Sequence, residues 1–205
     1  MSGAAMNKYI SIPLIACFLL SACNNAPSQP PLSSAPLAGA AIGGDFALTD
    51  QDGKKRTSAE FDGQYRIVYF GYTNCPDICT PDVQNLMAGL KAFEKTEPEL
   101  AKKVQPIFIT VDPKRDTPAV LKQFTGAFHE RLVGLTGSET EIASAAKKFA
   151  VYYDRVEGSL PEEYLMSHSQ TPFLMAPDGK PLAILPTATE GAPALVNAEL
   201  VKWVR

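Results

Sequence analysis

Cysteine, histidine and tryptophan are all scarce in this chain, at four, two and one among 205 residues. Four cysteines are too few to staple a small scaffold, and a core of this size needs no staples, so each cysteine is read by its own neighbourhood. There is no surplus of positive charge either. Nineteen lysines and arginines face 22 aspartates and glutamates, for a formal charge of -3. That balance lacks the basic footprint of a nucleic-acid binder and excludes DNA and RNA as partners. Long apolar runs are also missing: the one conspicuous run, from about Ile10 to Leu20, falls short of the roughly 17–25 residues of a transmembrane helix. At roughly 100–200 residues per domain, the length allows one compact domain with some chain to spare.

The spare chain lies at the N-terminus. From Met6, the stretch MNKYISIPLIACFLLSAC places Lys8 before the apolar run and small residues after it, the pattern of an export signal. Leu20-Ser21-Ala22-Cys23 resembles the lipobox of bacterial lipoproteins. That resemblance implies removal of residues 1–22, Cys17 with them, and lipidation of Cys23 as the first mature residue. A plain signal peptide with an incidental cysteine is the alternative; both place the domain outside the cytoplasm. Residues 24–44 are rich in Pro, Ala, Ser, Asn and Gly without an apolar period. Residues 23–43 are therefore expected to be a lipid-anchored flexible linker, long enough to hold a domain of residues 44–205 tens of ångströms from the bilayer.

Within that domain strands alternate with helices. Asp45 to Leu48 reads as a short strand closed by the Asp-Gly turn at Asp52-Gly53. Tyr65 to Phe70 is a β-branched and aromatic run that suits a buried central strand, and Ile107 to Val111 is a second. Asp82 to Glu94 places Val83, Leu86, Met87, Leu90 and Phe93 on one helical face. Thr117-Pro118 opens a helix to Phe128, and the Ser138…Glu141 capping box opens another to Ala150. Leu132 to Leu135 and Val151 to Val156 read as strands, Phe173 to Ala176 and Leu182 to Leu185 as a hairpin, and Asn197 to Arg205 as a closing helix. The result is an α/β domain with a mixed central sheet flanked by helices.

The chemistry concentrates in Gly71-Tyr72-Thr73-Asn74-Cys75-Pro76-Asp77-Ile78-Cys79-Thr80-Pro81, between a strand and a helix. Ligand sites of open α/β sheets lie beyond the carboxyl ends of their strands, and a helix N-terminus favours thiolate over thiol. Both sulfurs are therefore expected to ionise easily. Four apart, Cys75 and Cys79 can close a disulfide or hold one metal, and spacing alone does not choose. Soft sulfur favours Cu(I), Zn(II) or an iron–sulfur cluster, but structural zinc and iron–sulfur clusters usually want four ligands. With His129 and His168 the only histidines, a three-ligand Cys₂His site is the richest soft site the domain can build, and it suits copper. His129, among charges at a helix end, reads as a solvated surface residue. His168 lies in a polar loop leading into a strand, and only the reactive dithiol lifts it above an ordinary histidine. Tyr72 is placed to shield a sulfur or merely to end its strand. Asp112-Pro113 follows another strand end, and Met166 is a remote candidate for an extra ligand.

Tyr69-Phe70-Gly71-Tyr72-Thr73, Cys75-Pro76-Asp77-Ile78-Cys79, Thr110-Val111-Asp112-Pro113-Lys114-Arg115-Asp116-Thr117-Pro118 and His168-Ser169 before Pro177-Asp178-Gly179 together resemble the Sco/SenC family. The resemblance implies a thioredoxin-like fold, copper held by Cys75, Cys79 and His168, and a part in assembling the copper centre of a respiratory cytochrome oxidase. Its partners would be the oxidase copper subunit or its assembly factors, a thiol reductant for the Cys75–Cys79 pair, and a membrane reached through Cys23. Where the family usually has Asp before the histidine, this chain has Ser167. Thr171-Pro172 also resembles the cis-proline site of thioredoxins. An assembly factor of this kind is not an enzyme in the turnover sense. The alternatives are a thiol-disulfide oxidoreductase working through Cys75 and Cys79 in periplasmic redox or oxidative-stress defence, and a peroxidase using one of them. The site of action is the periplasmic face of a bacterial membrane, inner by the oxidase role or outer by Asn24 after the lipidated cysteine.

Overall fold

The computed structural model describes residues 29–75, 79–158 and 163–205, together with Met1 and Gly3. The export signal from Ala4 onward, Cys17 and Cys23 lie outside the described residues, as do residues 76–78 between the two site cysteines. Among the described residues, no helix is long and apolar enough to cross a membrane.

The elements run β1 Ala47–Asp50, β2 Lys55–Thr57, β3 Tyr65–Gly71, α1 Cys79–Thr96, α2 Pro98–Ala101, β4 Val104–Thr110, α3 Pro118–Phe128, β5 Val133–Thr136, α4 Glu139–Lys148, β6 Tyr153–Val156, β7 Leu165–His168, β8 Phe173–Met175, β9 Pro181–Ile184 and α5 Ala192–Trp203. Seven strands form one sheet in the order β2-β1-β5-β4-β3-β8-β9. Its middle is parallel, β3 beside β4 and β4 beside β5, and its flanks are antiparallel. β3 is buried along its whole length, which accounts for its near-continuous apolar sequence. Alternate residues of β3 meet different layers. Tyr69 and its register partner Phe108 face the side of α1 and α3, where Phe108 meets Phe124. Phe70 faces the other side and packs on Phe149, just after α4.

Local signals set the helix starts. The Thr117 hydroxyl accepts from the Val120 N–H, and the capping box of Ser138 and Glu141 is formed in both directions. α1 begins three residues before the apolar period does, at Cys79 itself, and α5 begins five residues before the expected Asn197, at Ala192 behind Pro193. Gly89, in mid-α1, lies where α5 crosses: a Cβ there would sit 2.5 Å from Val196 Cγ1 and 2.9 Å from the Pro193 carbonyl.

Two expectations are corrected. Residues 165–168 are not a loop but β7, paired antiparallel with β6 in a separate two-stranded sheet, Tyr153 opposite His168. Residues 29–43 of the expected flexible linker lie on the domain. Ala35 is buried, and Leu32, Leu37 and Ile42 pack against the core. Leu37 N–H donates to Leu182 O, Gly43 N–H to Lys148 O, Gln29 Nε2 to Val204 O and Arg205 Nη2 to Pro30 O. Four isolated apolar residues carry no period, yet each packs against the core.

Candidate metal centre

β3 ends at Gly71, beside the end of β4, and the chain turns there towards Cys75. Gly71 leaves room for the site: a Cβ would lie 3.0 Å from the Tyr69 and Phe108 rings and 3.3 Å from Cys79 Sγ. Cys75 is half-buried. Cys79, the first residue of α1, is fully buried. The Cys79 N–H, a first-turn donor without an intrahelical partner, points at Cys75 Sγ over 3.4 Å.

His168 closes the group from the far end of β7. Its Nε2 lies 3.1 Å from Cys79 Sγ and its Nδ1 3.0 Å from the Ser169 carbonyl oxygen. A carbonyl only accepts, which assigns the ring proton to Nδ1 and turns the Nε2 lone pair to the sulfurs. Burial lowers the His168 pKa against the pull of that carbonyl, so the neutral, ligating form is favoured. Two tyrosines fix the ring by edge-on contact, Tyr69 at 6.3 Å and Tyr72 at 5.9 Å between centroids. Ser167 faces away: in a strand its side chain and that of His168 point to opposite faces, and it is exposed. The imidazole is instead oriented by a backbone oxygen, that of Ser169.

The donor set fits a soft metal. The two sulfurs and the imidazole nitrogen lie within 4.8 Å of one another, and no further described cysteine, histidine, aspartate or glutamate joins them. Three soft donors are too few for structural zinc or an iron–sulfur cluster and suffice for copper. Electrostatics modify the sequence reading of the sulfurs. Burial, more than any other influence, pushes the Cys79 thiol up, so it does not ionise easily on its own. Helix N-terminal stabilisation is outweighed by desolvation, and a cation that replaces the thiol proton removes that penalty.

Around the sulfurs stand further groups, of which the sequence singled out Tyr72, Asp112, Met166 and His129 but not Asp82. Tyr69 donates to Asp82 Oδ2 over 2.8 Å, both buried against the base of α1. The Tyr72 phenol hydrogen-bonds the Cys75 side chain and the Met166 backbone, and burial pushes it up to about 12. Asp112 does not reach the sulfurs: it pairs with Arg115 and accepts from Tyr164 Oη over 2.8 Å. Met166 is half-buried, packs against the core and lines the same cleft as Asp112. His129 is corrected outright. It is buried, its Nε2 3.3 Å from Glu94 and its Nδ1 accepting from the Arg131 N–H, so its charged neighbours enclose it instead of drawing it into water. Among the described residues no peptide bond is cis, Thr171–Pro172 included.

Asp116 ties the cysteine loop to the sheet. Fully buried, it accepts from Thr73 N (3.0 Å), Thr73 Oγ1 (2.6 Å) and Thr110 Oγ1 (2.6 Å). Burial pushes its carboxyl up in spite of those donors. A carboxyl raised in the folded state favours folding while protonated, and that contribution is lost as pH rises through the raised value. The stability of wild type relative to Asp116→Asn, from urea midpoints, is therefore expected to fall as pH rises from about 3.9, the ordinary aspartate value. A difference that is flat or grows with pH contradicts this.

The comparisons agree with this geometry. The family model described as SCO1/SenC matches residues 34–205, and so takes in most of the arm that packs on the domain. A bovine protein named "Protein SCO2 homolog, mitochondrial" is 44% identical over 141 residues, 68% of this chain and 52% of the relative. The chain thus spans about half the length of the mammalian relatives it matches. The structure of Bradyrhizobium japonicum ScoI with copper bound is 36% identical, with a TM-score of 0.71 over 80% of this chain and all of the other. BsSco, described with a disulfide switch and as a member of the Sco family of cytochrome c oxidase assembly proteins, is 26% identical, with a TM-score of 0.57 over 77% of this chain and 95% of the other. The fold is the thioredoxin-like one of these relatives, and with a match over residues 34–205 the chain belongs to the SCO1/SenC family.

Proposed function

We propose that this protein binds one copper ion through Cys75, Cys79 and His168 and passes it to the copper centre of a respiratory cytochrome oxidase. The observation that carries this is the convergence of two sulfurs and an imidazole nitrogen, the latter already in its ligating tautomer, at one strand-and-helix end. The copper bound by the Bradyrhizobium relative and the oxidase assembly role of the Sco family support it. Copper is cargo here, held by three ligands and released when a partner offers ligands of its own. Cys23 is the proposed lipid anchor, which would keep the domain at the periplasmic face of a bacterial membrane, and Leu20-Ser21-Ala22-Cys23 is what supports it.

Anaerobic competition titration of Cu(I) into the reduced protein tests the reading. One tight equivalent is expected, and none after oxidation to a Cys75–Cys79 disulfide, whose sulfurs no longer offer thiolates. Binding that is weak, or indifferent to oxidation, would reject the carrier role.

A second reading rests on the Cys79 N–H directed at Cys75 Sγ and on the partial exposure of Cys75. In this reading Cys75 attacks a partner's disulfide, and Cys79 then displaces it. The two thiols give up two electrons and two protons as their own disulfide forms and the partner's is reduced. The disulfide switch described for BsSco supports it. One site serves both readings, because the oxidised pair releases the metal.

A further inference from the structure

His168 does not belong to the main sheet. It ends β7, whose strand partner among the described residues is β6, and a lone two-stranded hairpin is marginal in water. Contacts with the rest of the protein must therefore place the imidazole; Tyr153 and Met166 pack against the core, and a polar set of contacts gathers at Tyr164, the buried residue just before β7. Tyr164 Oη donates to Asp112 Oδ1 (2.8 Å), and its carbonyl accepts from Arg115 Nη1 (2.9 Å). Its ring has the Arg115 guanidinium at 3.7 Å and that of Arg155, on β6, at 4.0 Å. Both cations therefore stack on one ring. Arg115 also pairs with Asp112 and stands 5.8 Å from the Tyr72 ring, whose other neighbour is the His168 ring. On the outer face of the hairpin, the paired Val156 and Leu165 are exposed.

Resting on the copper reading above, we propose that Asp112, Arg115 and Tyr164 are positioning residues for His168: they clamp the β6–β7 hairpin to the end of β4 and so set the third ligand over the two sulfurs. The clamp joins two bodies. Asp112 and Arg115 follow β4 of the main sheet, Tyr164 and Arg155 belong to the hairpin, and the Tyr164 ring is the piece on which they meet. Loosening it withdraws the imidazole and leaves the dithiol in place, because Cys75 and Cys79 are fixed by β3 and α1.

Two substitutions separate the clamp from general packing. Tyr164→Leu removes the ring and hydroxyl and leaves the Asp112–Arg115 pair. Tyr164→Phe keeps the ring against the guanidinium groups. In the metal-free reduced protein, hydrogen exchange of the 165–168 amides and alkylation of Cys79 by iodoacetamide, read by peptide mass, are expected to rise about tenfold in Tyr164→Leu. Exchange in β3 and β4 should not change, and Tyr164→Phe should stay near wild type. In the Cu(I)-loaded protein, nitrogen NMR of the His168 imidazole should show the metal-bound shift in Tyr164→Phe and its loss in Tyr164→Leu. Should Tyr164→Leu fail to fold, Arg115→Met combined with Asp112→Asn removes the charged half of the clamp without stranding a buried carboxylate, and must give the same hairpin-confined change. Wild-type exchange and alkylation rates in these variants, or a rise shared equally by β3 and β4, would overturn the clamp. If wild type binds no copper, the metal-free measurements still decide the clamp, and the copper reading alone falls.

Discussion

His168→Ala is expected to weaken Cu(I) binding by at least about 100-fold, and Cys79→Ser by more. The lower bound follows from coordination chemistry: changing a group that merely orients a ligand costs roughly 10–100-fold in metal affinity, and here a ligand itself is lost. Serine in place of Cys79 offers a hard oxygen that holds its proton, where the soft ion needs a thiolate. It also puts a hydroxyl at a fully buried position, with His168 Nε2 as its partner. Anaerobic competition against a Cu(I) chelator measures both variants. Equal affinity of wild type and His168→Ala would remove the ligand that distinguishes a copper carrier from a dithiol reductant.

The second large effect lies away from the metal. Gly89→Val is expected to cost about 3 kcal/mol or more of folding stability, at or beyond the upper end for overpacked cores. Helix propensity alone argues the other way, since glycine in a helix interior costs about 1 kcal/mol against alanine. Steric conflict wins because the space is occupied. A Cβ at position 89 already falls 2.5 Å and 2.6 Å from two carbons of Val196 and 2.9 Å from the Pro193 carbonyl. One of those partners is backbone and the other a stiff β-branched side chain, so neither can swing aside. Valine adds two methyl groups to that conflict and forces α5 off α1. Urea unfolding reads the loss; a variant as stable as wild type would mean that the two helices part without cost.

Much of the fold was legible because its signals are local. β3 could be read from an unbroken β-branched and aromatic run, α3 from Thr117-Pro118 and α4 from its capping box. The two sulfurs and the imidazole were legible through residue scarcity and through four motifs in a known order. What escaped the sequence depends on distant partners. β7 holds only four residues, Leu-Met-Ser-His, and becomes a strand by pairing with β6. His129 stands among charges that mark a surface residue in sequence, yet those charges close over it. The ionisation of Cys79 was misjudged because the helix N-terminus is visible in sequence and the Tyr69, Phe108 and His168 rings that desolvate the sulfur are not. Asp82 and Tyr164 gave no signal, and Asp116 stood only within a motif, since one buried acid or tyrosine looks like any other until its hydrogen-bond partner is known.

The packed arm sets a limit on reach. With Gln29 and Pro30 held to the last turn and end of α5, only residues 24–28 separate the proposed lipid on Cys23 from the folded body. Five residues extend to roughly 17 Å at most, far less than the tens of ångströms that a free linker of residues 23–43 would allow. The protein would then sit almost on the bilayer, confined to a thin layer in which it diffuses sideways. Encounter with the proposed membrane-embedded partner would become a two-dimensional search, and that partner's copper site would have to lie within the layer to be served.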